Sequence, residues 1–131
     1  MDLLAPSSCG SRLDMKSILV IDDNEACREA MLASLTHAGF RVYGAADGRE
    51  GVEAVRRIQP DMVFMDLMMP EMDGWEAMAA LRADPRTAVF PVIACTASAP
   101  DLERIHAAGF RGCIPKPTRL PALVEAIRAL G

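Results

Sequence analysis

No apolar run in the 131 residues approaches the roughly 20 needed to cross a bilayer. Residues 1–16 lack the unbroken apolar stretch of a secretory leader, being interrupted by Pro6, Ser7, Ser8, Gly10, Arg12 and Asp14. A basic stripe is missing too. Net charge is −4, and no cluster of Lys and Arg offers itself to phosphate backbones, so neither a nucleic-acid nor a membrane partner is expected. The four cysteines, Cys9, Cys27, Cys95 and Cys113, show no metal-ligand spacing, and two sit in apolar, strand-like runs. Reduced thiols in a cytoplasmic protein are the expectation, not a disulfide framework. There is no internal repeat, and the length suits one domain.

What is present is enough to build a core: 51% of the residues are hydrophobic and 24% charged. Residues 1–15 are small and polar without periodicity, and are expected to form a disordered extension, with Met15 as an alternative start; the domain proper spans 16–131. Its organising stretch is Met62-Val63-Phe64-Met65-Asp66-Leu67-Met68-Met69-Pro70-Glu71-Met72-Asp73-Gly74. Four apolar residues run without alternation into one carboxylate, which predicts a strand buried on both faces of a parallel sheet. In open sheets of that kind ligands bind beyond the carboxyl ends of the strands. Asp66 is therefore placed for chemistry, the alternative being that it merely opens a turn.

The remaining elements alternate around it. Ser17-Ile18-Leu19-Val20-Ile21 is a second buried strand ending in Asp22-Asp23, and Asn24 caps a helix with Cys27, Met31, Leu35 and Ala38 on one face. Phe40 to Ala45 is a weaker strand. Asp47-Gly-Arg-Glu50 has reciprocal capping spacing ahead of Val52, Val55 and Ile58, and Pro60 ends that helix. Trp75, Met78 and Leu81 mark a short helix closed at Asp84-Pro85. Pro91 to Cys95 is a strand ending in Thr96, and Ser98 to Ala108 a modest helix with Leu102 and Ile105 inward. Gly112 to Pro115 and then Lys116-Pro117 follow, and Leu120, Leu123, Val124, Ile127 and Leu130 form the clearest amphipathic helix. Five β-α alternations predict an α/β fold of flavodoxin-like, doubly wound (βα)5 type, with sheet order 2-1-3-4-5.

That order brings Asp22, Asp23, Asp66, Thr96 and Lys116 to one sheet edge. Two carboxylates about 4 Å apart repel by about 4 kcal/mol at an effective dielectric near 20. A divalent cation relieves this, and hard oxygen ligands suit Mg2+. An Asp beside a metal, a Lys and a Thr can attack a phosphoryl group to give an aspartyl phosphate, while Lys116 neutralises phosphoryl oxygens and Thr96 donates to one of them. Lys116-Pro117 is a candidate cis bond, of the kind that aims a side chain inward.

Ile21-Asp22-Asp23-Asn24, the run from Met65 to Gly74, Thr96-Ala97 and Lys116-Pro117 together resemble the receiver domain of two-component response regulators, over residues 17–130. The resemblance implies that Asp66 is the phosphoacceptor and that Asp22 and Asp23 hold Mg2+, with the backbone carbonyl of Met68 as a further ligand. Thr96 would be the switch hydroxyl and Lys116 the phosphate-binding lysine. The phosphodonor would be a sensor histidine kinase or a histidine phosphotransfer protein, and a downstream protein would read the result. Such a chain is a signalling domain, not an enzyme, promoting only its own phosphorylation and dephosphorylation. One position departs from the pattern: receivers usually carry Tyr or Phe three residues before the lysine, and here Cys113 stands there.

Ending at Gly131, the chain is expected to be either a free-standing receiver or a receiver from a larger protein such as a hybrid histidine kinase. The rival reading is an aspartyl-phosphate-forming, metal-dependent phosphatase or phosphotransferase; against it, Met68 stands where those enzymes want a second acid. A flavin carrier of the same topology is disfavoured because Asp-Asp-Asn follows the first strand in place of a hydroxyl- and glycine-rich phosphate loop. His37 and His106, near helix ends, are assigned surface or capping roles. Cys27, Cys95, Trp75 and the methionines around Asp66 are assigned to packing.

Overall fold

Five parallel strands line up as β2-β1-β3-β4-β5: β1 (Ser17–Ile21), β2 (Arg41–Ala45), β3 (Met62–Asp66), β4 (Val92–Thr96) and β5 (Gly112–Pro115). They alternate with α1 (Glu25–His37), α2 (Gly48–Ile58), α3 (Gly74–Ala83), α4 (Leu102–Ala108) and α5 (Leu120–Leu130). This computed structural model describes residues 16–130, so the expected N-terminal extension, Met15 and Cys9 lie outside the described residues, as does the side chain of Leu130. The strand order is the expected one.

Side chains alternate along each strand and so feed two separate cores. Leu19, Ile21, Val63, Met65, Val92 and Ala94 pack beneath α2, α3 and α4 against Val52, Val55, Met78, Leu81 and Ile105. Ile18, Val20, Met62, Phe64, Ile93 and Cys95 face α1 and α5 and meet Met31, Leu35, Leu123 and Ile127. Because both faces are covered, all five residues of β3 and of β4 are buried. The edge strand β2 buries only Ala45 fully, which is why its sequence signal is weak.

Helix starts follow local capping chemistry. Asn24 Oδ1 accepts from the Cys27 N–H at 2.9 Å, and Asp47 Oδ1 from the Glu50 N–H at 2.8 Å. The return bond expected of Glu50 goes to the Ala46 N–H at 2.7 Å, one residue before the cap. The complete reciprocal pair lies instead at α3, where Asp73 accepts from Glu76 N–H and Glu76 from Asp73 N–H.

The expectation for α4 needs correcting. The helix begins at Leu102, not Ser98, and Leu102 is 61% exposed instead of inward. Pro100 disfavours helical backbone at the residue before it, and Asp101 caps the helix by accepting from the Arg104 N–H at 3.1 Å. That start leaves Ile105 as the buried anchor. The far end of α4 is tied down: Arg82 donates to the Gly109 carbonyl at 2.8 Å and also to the carbonyls of Ala88 and Phe90. The Arg104 guanidinium lies 4.0 Å over the Trp75 ring, which meets Phe110 edge-on. Among the described residues no helix is long and apolar enough to cross a membrane.

Candidate functional site

Strand register brings the site together. Ile21 pairs with Met65, Asp66 with Cys95 and Thr96 with Pro115, so the residues that follow β1, end β3 and β4, and follow β5 meet at one edge. Asp22 is 1% exposed and held on every side. Its Oδ1 accepts from the Asn24 N–H at 2.9 Å, and its Oδ2 from Lys116 Nζ at 2.8 Å. Its N–H donates to the Ala45 carbonyl at 3.1 Å, and its own carbonyl accepts from Arg28 at 2.7 Å. Asp23, next in the chain, is exposed.

Asp66 is also buried. Its Oδ1 accepts from the Met68 N–H at 3.2 Å and its Oδ2 lies 3.3 Å from Lys116 Nζ. One carboxylate oxygen from each of Asp22, Asp23 and Asp66 falls within 4.8 Å of the others. Lys116 spans two of the three acids, and the bond to its proline is cis. Thr96 is buried; its Oγ1 accepts from the Ser98 N–H at 3.1 Å, and its carbonyl from the Lys116 N–H at 2.9 Å. Asp23, Asn24, Asp66, Met68, Ala97 and Lys116 line one open cleft at this edge.

Burial raises the Asp66 carboxyl above its ordinary pKa; the Met68 N–H and the Lys116 charge pull it back, while Asp22 adds to the rise. For Lys116 burial works against the charge, but the Asp22 hydrogen bond and the Asp66 and Asp22 charges outweigh it, so its pKa is raised. The ammonium therefore stays charged and partly compensates two acids. Three carboxylates with one Lys leave net negative charge in a cleft walled by low-dielectric strands, and oxygen donors of that kind suit a hard divalent cation.

The sequence reading missed Arg28, whose donation to the Asp22 carbonyl fixes the turn that carries the acidic pair. It also missed the Asp73–Glu76 box, although the same spacing was legible at Asp47–Glu50. Cys95 is buried, as expected, and burial pushes its thiol up and keeps it neutral. Cys113 is half-buried and packs on the core beneath α2, α3 and α4. His37 and His106 are exposed, and Trp75 is half-buried.

Residues 18–128 match the model of the response regulator receiver domain. The DNA-binding dual master transcriptional regulator RpaA of Synechocystis is 35% identical over 118 residues, covering 88% of this chain and 49% of that protein. The chain spans about half the length of several of the curated relatives it matches. The polar-differentiation response regulator DivK of Brucella anthropi is 32% identical over 116 residues, 87% of this chain and 94% of that protein. Among solved structures, the receiver domain of a Pseudomonas aeruginosa sensor histidine kinase, with magnesium coordinated in its active-site cleft, superposes with a TM-score of 0.80. It is 30% identical and covers 88% of this chain and 96% of its own.

Proposed function

The chain belongs to the response regulator receiver domain family, and from that premise we propose that it accepts a phosphoryl group on Asp66 from a phosphohistidine. The observation that carries this reading is the placement of the Asp66 carboxylate 3.3 Å from Lys116 Nζ and within 4.8 Å of two further acids. In the step, an Asp66 oxygen forms a bond to phosphorus as the phosphorus–nitrogen bond to the imidazole breaks, and the electron pair leaves with that nitrogen. Lys116 offsets the negative charge of the phosphoryl oxygens. Thr96 supplies a hydroxyl that donates to one of them. Burial raises the Asp66 carboxyl pKa, and the Met68 N–H on Oδ1 and the Lys116 charge oppose that rise and so favour the ionised, nucleophilic form.

The residues fit Mg2+: Asp22, Asp23 and Asp66 would hold it with the backbone carbonyl of Met68. When bound, the cation supplies positive charge to the phosphoryl oxygens and relieves repulsion among the acids. The donor is a sensor histidine kinase or a histidine phosphotransfer protein, output runs through protein contacts, and the setting is the cytoplasm. Incubation with phosphoramidate and Mg2+ should add one phosphoryl group by intact mass. Persistence of that mass in Asp66→Ala would sink the assignment.

A further inference from the structure

We propose that Gly48, remote in sequence from Asp22, Asp23, Asp66, Thr96 and Lys116, is a positioning residue for the Asp66 loop; the inference rests on the receiver reading of that site. Gly48 opens α2 and is buried. A Cβ built on it would lie 2.5 Å from the Met72 carbonyl oxygen and 2.9 Å from Met72 Cγ. Ordinary contact begins at 3.4 Å, so any side chain there forces a separation of about 0.9 Å (3.4 less 2.5) between α2 and the backbone of the loop after β3.

Which side yields is decided by packing. Helix α2 is the better anchored side, because it packs closely on β1: a Cβ at Gly51 would lie 2.5 Å from Ile21 Cδ1, and Val52 and Val55 are buried. Asp47 fixes its first turn. On the loop side, Asp73 and Gly74 are held by the α3 cap and by the Gly74 N–H donating to the Leu67 carbonyl at 3.1 Å. Leu67 and Met69 are buried anchors. What can move is the exposed set Met68, Pro70 and Glu71, where Glu71 already holds φ 64. A shove on Met72 is taken up first by Glu71 and Pro70, and it reaches Met68 as the backbone pivots about the buried Met69 side chain; the Met68 N–H holds Asp66 Oδ1 and its carbonyl is the proposed metal ligand.

The test is Mg2+ binding by calorimetry on the wild-type chain, Gly48→Ala and Val55→Ala. Val55 is fully buried in α2, so its truncation loosens the same helix without pushing on the loop or on the acidic pair. Gly48→Ala should weaken Mg2+ about tenfold, since misplacement of a site by about 1 Å has effects of that order or larger. Val55→Ala should leave affinity within about twofold of wild type even where its melting temperature falls, because lost core contacts press on no ligand. Equal affinities for Gly48→Ala and wild type, or equal losses in the two variants, overturn the proposal. If Gly48→Ala does not fold, amide spectra of the wild type decide: Mg2+ should shift the Gly48 resonance and spare Val55, and an unmoved Gly48 overturns it. A wild-type chain that binds no Mg2+ overturns the site reading itself.

Discussion

The loop that follows β3 and the loop that follows β4 leave the same sheet edge side by side, yet the first packs inward and the second lies exposed. After β3, Leu67 and Met69 are buried, Met68 N–H holds Asp66, and a Cβ at Gly74 would lie 2.5 Å from the Asp66 carbonyl oxygen. After β4, residues 97–101 are all exposed, and α4 begins with an exposed Leu102. What secures α4 acts at its other parts, through Ile105, Arg104 on Trp75, and Arg82 on the Gly109 carbonyl. The lesson is a division of labour. Under the proposed function, Asp66 as nucleophile needs fixed geometry, whereas a segment that reports on it would need an alternative position within a few kcal/mol.

The sharpest way to break this comparison is to overfill both loops. Gly74→Ala places a methyl group against backbone at 2.5 and 2.7 Å, and should cost about 3 kcal/mol of stability in urea unfolding. Ala99→Leu, which adds bulk to the exposed loop, should stay within about 0.5 kcal/mol. Similar costs for the two would show that the loops do not differ.

Next in size is the acidic edge itself. Asp23→Ala should weaken Mg2+ by at least about tenfold by calorimetry, since it removes a direct ligand in the proposed site. Asp22→Ala should act more mildly on Mg2+. It should nevertheless lower the melting temperature, because it strips Lys116 of its 2.8 Å partner. An unaltered Mg2+ affinity in Asp23→Ala contradicts the proposed ligand set.

A smaller effect concerns the direction in which the site speaks. Cys113 offers no ring to relocate, so beryllofluoride with Mg2+ should shift amide resonances around Asp66 and from Ala97 to Leu102. Shifts of equal size from Arg111 through Ile114 and into α5 would assign the response to β5 and erase the contrast between the loops.

The smallest effect is a control outside both loops. Hydrogen bonds from Arg86 hold the Asp84 carboxyl down at about 2. A depressed carboxyl contributes stability above its unfolded value, near 3.9, and loses it as pH falls toward 2. Asp84→Asn should flatten the stability profile slightly between about pH 4 and pH 2, leaving Mg2+ binding at neutral pH unchanged. An effect on Mg2+ would mean that the loop after α3 communicates with the site.

The strands that carry the chemistry were the most legible part of the chain, because burial on both faces writes itself as unalternating runs in β1, β3 and β4. With those runs read, the topology alone brought Asp22, Asp23, Asp66, Thr96 and Lys116 to one edge. The α4 start was misread for a local reason: Pro100 and the Asp101 cap overrode an apolar period that seemed to include Leu102. Arg28 and Gly48 were illegible for another reason. Their roles are contacts with Asp22 and Met72 that exist only once α1 and α2 are docked.

The strand order has a consequence for how the protein is made. β1 lies between β2 and β3, and all three are encoded within residues 17–66. The three acids emerge from the ribosome with that half, whereas Lys116 follows fifty residues after Asp66. At about 5–20 residues per second the interval is roughly three to ten seconds. A nascent three-stranded unit would hold Asp22, Asp23 and Asp66 against one another without their ammonium, a repulsion of up to about 4 kcal/mol per close pair. The half that is synthesised first therefore carries the charge problem, and the half synthesised last carries its remedy. Docking of β5 onto β4 therefore does two things at once: it adds the fifth strand of the sheet and brings Lys116 to Asp22 and Asp66.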